Sequence, residues 1–130
     1  LNNKKLGNSF EKELAEKLSK KGYWVTYLEP KQHIGSQPCD LIAIKDNKSI
    51  LIDCKTSKTH LFPISRIEEN QWQAYKKYKK CGNSNFVLAI KYENKIYIIP
   101  LDIINKDRKS IDLDTLSYSW EGTHENNSIK

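Results

Sequence analysis

Leu6, Phe10, Leu14 and Leu18 recur every four residues with Glu and Lys between them, the pattern of a helix that buries one face. Gly22 follows as a natural stop, so the spacing predicts a helix over residues 4–21. Within it, Asn8 followed by Glu11 reads as a capping box. The pattern then changes. YWVTYL (23–28) is aromatic and β-branched and predicts a strand, followed by the polar loop EPKQHIGSQPC (29–39). DLIAIK (40–45) and SILIDCK (49–55) predict two strands of a hairpin, joined through Asp46 and Asn47, residues suited to a tight two-residue turn. TSKTHLFPIS (56–65) reads as a loop, and a second helix runs from about Glu68 to Lys80, with Trp72, Tyr75 and Tyr78 on one face and Gly82 as the stop. NFVLAIKY (85–92) and KIYIIP (95–100) form a second hairpin through Glu93 and Asn94, and PLDIINK (100–106) adds a short helical turn. The order is helix, three strands, helix, two strands. That predicts an α/β fold with a mixed five-stranded sheet flanked by helices, in one domain over residues 1–120, with a frayed polar tail over 121–130.

The first hairpin brings chemistry together. With Asp46 and Asn47 as the turn, Asp40 lies opposite Asp53, their β-carbons roughly 4.5–5.5 Å apart. Side chains alternate along a strand, so Asp53 and Lys55 share a face while Cys54 points the other way. Two facing carboxylates in an apolar sheet repel unless a cation neutralises them, and a hard divalent ion is suited to that task. Such an ion polarises a scissile phosphate and activates a water, and Lys55 can orient that water or stabilise the pentavalent phosphate. The competing reading makes Asp40 a strand-entry residue and Asp53 with Lys55 a solvent-facing pair.

Composition narrows the class of partner. The chain has 130 residues and a formal charge of +6, which favours a polyanion such as nucleic acid. A hydrophobic fraction of 38% still permits a packed core. No apolar run approaches the ~20 residues of a membrane span, and no export leader is evident, so an intracellular protein without membrane contact is expected. Three cysteines without a C-x-x-C pair argue against a disulfide framework or thiolate zinc site and suit a reducing cytosol. His33, His60 and His124 show no ligand spacing. Lys76, Lys77, Lys79 and Lys80 read as the solvated face of the second helix, and Trp72, Tyr75 and Tyr78 as core or dimer contact.

GNSFEKELAEKLSKKGYWV (7–25), PCDLIAIKDNKSILIDCKTSK (38–58) and ISRIEENQWQAYKKY (64–78) resemble, in order, the PD-(D/E)xK nuclease superfamily, and within it the Holliday-junction resolvases, archaeal Hjc-like and bacterial RecU-like. The resemblance implies a restriction-endonuclease-like core and an Mg²⁺-dependent endodeoxyribonuclease, with Mn²⁺ as a substitute. It further implies a homodimer acting on branched or four-way DNA. It implies metal ligation by Asp40, Asp53 and the backbone carbonyl of Cys54, with Glu11 approaching directly or through water, and Lys55 as the charge-stabilising or water-orienting group. Ser36 and Gln71 match a loop serine and a helix glutamine of the pattern, though either also reads as an ordinary loop or surface residue. Lys4, Lys5, Lys31, Ser36, Thr56 and Lys58 lie on segments expected to meet DNA.

Three departures stand out. Cys39 separates the proline from Asp40, and Asp53 stands where resolvases more often carry Glu. The stalk of RecU-type enzymes is also missing, since only a short loop joins Leu28 to Asp40. The leading expectation is a metal-dependent, structure-selective endonuclease that resolves junctions in recombination and repair. The alternatives are a restriction-type or nicking enzyme on linear duplex, a non-catalytic DNA-binding module of the same fold, and an RNA-processing domain.

Overall fold

The computed structural model describes residues 3–28, 37–116 and 119–120, with side chains from residue 9 onward except at 119–120. The predicted first helix, α1, spans Asn3–Lys20 and buries Phe10, Leu14 and Leu18. Gly22, at φ +93°, turns the chain out of it into β1 (Trp24–Tyr27). Starting at Asn3, α1 leaves Glu11 well inside the helix, so the capping-box reading of Asn8 and Glu11 fails. β2 (Leu41–Lys45) and β3 (Lys48–Ser57) form the expected hairpin. Its turn has Asp46 at φ 52° and Asn47 at φ 65°, the left-handed conformations that the twist of a two-residue hairpin demands.

The hairpin register pairs Leu41 with Ile52 and Lys45 with Lys48, and the Asp40 amide donates to the Ile52 carbonyl at 2.9 Å, which leads directly to Asp40 opposite Asp53. β3 does not end at Lys55. It runs two residues further because its parallel pairing with the next long strand continues through Thr56 and Ser57.

The segment expected to be a loop holds β4 (Leu61–Pro63), followed by a short 3₁₀ turn (Ile64–Arg66). Helix α2 (Glu69–Lys80) then leads to the hairpin of β5 (Phe86–Tyr92) and β6 (Lys95–Pro100). The helical turn after Pro100 is 3₁₀ (Leu101–Ile103), and β7 (Ser110–Asp112) pairs antiparallel with β4 as a small separate sheet. β8 (Ser119–Trp120) lines the outer edge of β6.

The main sheet has the order β1-β2-β3-β5-β6-β8: the five expected strands with β8 added at the edge. β3 and β5 are parallel and the other neighbours antiparallel, so the chain crosses from β3 to β5 by way of α2. α1 packs one face over Leu41, Ala43, Ile50, Ile52, Val87 and Ile98. The other face holds Phe62, Trp72, Phe86, Leu88, Ile90 and Ile99, with Trp72 edge-on to Tyr75 and Tyr75 edge-on to Phe86. The aromatic stripe of α2 is therefore core, while Lys76, Lys77, Lys79 and Lys80 are exposed as expected. No helix among the described residues is long and apolar enough to cross a membrane.

Candidate active site

Alternation along β3 sends Ile50, Ile52 and Cys54 toward α1 and leaves Leu51, Asp53 and Lys55 on the opposite face. Asp53 is buried, 3% exposed, in the middle of the sheet between β2 and β5. Lys55 Nζ lies 3.2 Å from Asp53 Oδ2 as an ion pair, yet out of hydrogen-bonding alignment, so that oxygen is buried without a hydrogen bond. Burial pushes the Asp53 carboxyl up to about 7; Lys55 opposes the rise and the nearby Asp40 charge reinforces it.

Asp40 enters from the start of β2 with both carboxylate oxygens engaged. Oδ2 accepts from the Cys54 amide at 2.7 Å and Oδ1 from Gln37 Nε2 at 3.0 Å. The Gln37 carbonyl in turn accepts from Asn70 Nδ2 at 3.1 Å, which ties this loop to the first turn of α2. Gln71, beside Asn70, is buried and uses its side-chain oxygen to accept from the Glu68 amide at 3.0 Å, capping α2. Glu11 arrives from α1: burial and then the Asp40 charge raise its carboxyl to about 7. Asp40 thus stands between two other acids, coupled to Asp53 on β3 and to Glu11 on α1, with Lys55 beside Asp53.

The thiols stay out of this chemistry. Burial raises Cys39 to about 12 and Cys54 well above its usual range, so neither is a thiolate near neutrality.

The site suits a hard divalent cation. A buried carboxylate oxygen without a hydrogen bond, next to a second carboxylate whose own charge raises its pKa, is an arrangement that a cation would relieve. A different group, His60, Asp112 and Asp114, brings its ligand atoms within 4.8 Å of one another where β4 meets β7. It shares no residue with the acids of the hairpin, and the 3.0 Å contact from His60 Nδ1 to Asp112 makes it a surface ion pair whose hydrogen bond raises the imidazole pKa.

Beyond Lys55 the chain opens a groove of about 490 Å³, walled by the run from Cys54 to Thr59 and by Leu61, Pro63 and Arg66. Thr56 and Lys58, two of the expected DNA contacts, lie on it. Lys4 and Lys5 sit in the first turn of α1, their side chains outside the described set, and Lys31 and Ser36 lie outside the described residues altogether. Two residues escaped the sequence reading. Gln37 lies in a polar loop and Arg66 between Ser65 and Ile67, neither with a spacing to mark it, and only the folded chain brings one to Asp40 and the other to Thr56.

The family model "Archaeal holliday junction resolvase (hjc)" matches residues 2–121. The chain belongs to this resolvase family. As in the family generally, the activity is that of an endonuclease on Holliday junctions that requires a divalent metal. The resolvase fold is also similar to the 1.6 Å structure of Hjc from Archaeoglobus fulgidus, described as a Holliday junction resolvase from an archaeal hyperthermophile. That likeness has a TM-score of 0.66 at 19% identity and covers 87% of this chain and 92% of that one. No curated protein sequence matches the resolvase.

Proposed function

We propose that this resolvase cuts DNA at Asp40, Asp53, Glu11 and Lys55, using Mg²⁺ with Mn²⁺ as a substitute, and that it acts as a homodimer on the two opposed strands of a junction. The observation that carries the assignment is Asp53: a buried carboxyl beside Asp40 and Lys55, with one oxygen unbonded. Asp40, Asp53 and the Cys54 carbonyl would hold the ion, with Glu11 reaching it directly or through water. When bound, it would polarise the scissile phosphate and lower the pKa of a coordinated water.

The chain's own groups do the rest. Lys55 Nζ, fixed by Asp53, presents a positive charge to the phosphate as it gains negative charge, where such stabilisation is worth most. Glu11, which faces Asp40 from α1, would orient the attacking water. Gln37 and the Cys54 amide fix the orientation of the Asp40 carboxylate. Gln71 contributes through the α2 cap that carries Asn70. Lys4, Lys5, Lys31, Ser36, Thr56 and Lys58 contact the DNA backbone. Two-fold symmetry suits a substrate with two equivalent strands to cut.

The test incubates labelled four-way junction and linear duplex of the same sequence with Mg²⁺, Mn²⁺ or EDTA, beside Asp40→Asn and Asp53→Asn. Paired nicks near the branch point that need both metal and both acids are the expected result. Equal cutting of the linear duplex, or cutting that survives Asp53→Asn, would remove the assignment.

A further inference from the structure

The groove beyond Lys55 carries a feature that the chemistry at the acids does not use. Its lining includes three cations, Lys55, Lys58 and Arg66, and no carboxylate. Lys55 is paired with Asp53, but among the described residues neither Lys58 nor Arg66 has an ion-pair partner. Arg66 is also held still. Its Nη1 donates to the Thr56 carbonyl at 2.7 Å, and its guanidinium carbon sits 5.0 Å from the centroid of the buried Phe62 ring.

One N–H of the guanidinium is thereby committed, out of five that arginine offers in a fixed plane. A side chain ordered in advance in this way loses little freedom when it meets a second acceptor, and the planar fork matches two oxygens of a phosphate. Thr56 directly follows Lys55, so a phosphate held at Arg66 is connected through one backbone carbonyl to the strand that bears the reacting groups.

We infer that this groove is a binding site for a backbone phosphate of the cleaved strand, distinct from the scissile one, with Arg66 as its anchored donor and Lys58 as a second charge. The inference rests on the proposed site at the acids, because it treats Lys55 as the place where the groove meets the cut. The bland alternative is that Arg66 is only a strut tying the 3₁₀ turn to β3. A strut and a phosphate contact differ in their response to salt. Each phosphate neutralised on duplex DNA contributes roughly 0.9 to the slope of log K against log salt, and a strut contributes nothing.

The experiment measures binding of the full chain to labelled four-way junction in EDTA across a salt series, for wild type, Arg66→Gln, Arg66→Lys and Lys58→Gln. Arg66→Gln should weaken binding about tenfold at low salt and reduce the slope by about one, irrespective of DNA sequence. Arg66→Lys should keep the slope and recover only part of the affinity, because it restores the charge without the fork. With metal present, KM should rise for Arg66→Gln while kcat stays near wild type.

Junctions carrying single uncharged methylphosphonates give a reading that does not depend on how the variants fold. One position other than the cut site should weaken wild-type binding by the same factor as Arg66→Gln, and the two changes together should cost no more than either alone. An unchanged salt slope in both Arg66→Gln and Lys58→Gln, or the lack of any such phosphate position, overturns the inference. If wild type binds the junction but cuts nothing with any metal, the proposed reaction fails while the salt series still decides the fate of Arg66.

Discussion

Asp53→Asn should stabilise the metal-free protein at alkaline pH while abolishing cleavage. In the folded chain burial holds the Asp53 carboxyl at about 7, against an ordinary value of 3.8. Between those two values the unfolded chain has released its proton and the folded chain has kept it, so stability falls as pH rises and reaches a floor once pH exceeds about 7. At about 1.4 kcal/mol for each tenfold change in proton affinity, the gap amounts to about 4 kcal/mol. Asparagine does not titrate and escapes this loss. The attraction of Lys55 is already contained in the folded value of about 7, so the net advantage keeps that size, on the order of 4 kcal/mol. For a chain of this length that corresponds to a rise in melting temperature of roughly 10–20 °C.

The assay is thermal or urea unfolding of both proteins in EDTA from pH 4 to pH 9. The curves should converge near pH 4, separate through neutrality and run parallel above about pH 7.5. Divalent cation should then stabilise wild type by about 2.7 kcal/mol at a hundred times its dissociation constant, and the variant far less. A variant no more stable than wild type at pH 8.5 would refute the argument, as would equal stabilisation of both proteins by metal.

Three further outcomes are expected. Lys55→Gln should lower kcat by about 10²–10³-fold with junction affinity within about threefold of wild type, read by single-turnover cleavage beside a gel-shift titration. Gln37→Ala frees Asp40 Oδ1 and should raise the metal concentration for half-maximal stabilisation several-fold, measured as a melting-temperature titration, while Gln73→Ala on the exposed face of α2 should not. Asn47→Val forces a β-branched residue to φ 65° and should cost about 1–2 kcal/mol in urea unfolding, whereas Asn47→Gly should be close to neutral.

The parts that could be read from sequence are those governed by short-range rules. Asp46 and Asn47 set a two-residue turn, the turn set the register, and the register placed Asp40 opposite Asp53. The four-residue spacing of Phe10, Leu14 and Leu18 likewise located α1, although the Asn8–Glu11 signature suggested an N-terminus where the helix was already under way. What escaped depended on contacts between distant residues. Three-residue strands such as β4 and β7 have no period to detect, and they pair where Phe62 and Ile111 pack into the same core. Gln37 and Arg66 matter through a single hydrogen bond each, to an Asp40 oxygen and a Thr56 carbonyl, and a single hydrogen bond leaves no trace in composition or spacing. The cap of α2 by Gln71 was missed because glutamate is an unusual partner at that end.

β3 is bonded to β5 along the whole stretch that bears Asp53 and Lys55, and its ladder to β2 ends one residue before Asp53, at Ile52. A group mounted there cannot shift to meet its target without tearing the ladder to β5 and pulling on the one to β2 beside it. Accommodation therefore falls to the nucleic acid, which must bend or unstack until a phosphodiester reaches an immobile reaction centre. DNA that deforms cheaply, as a branch point does, is the kind of substrate that such rigidity selects.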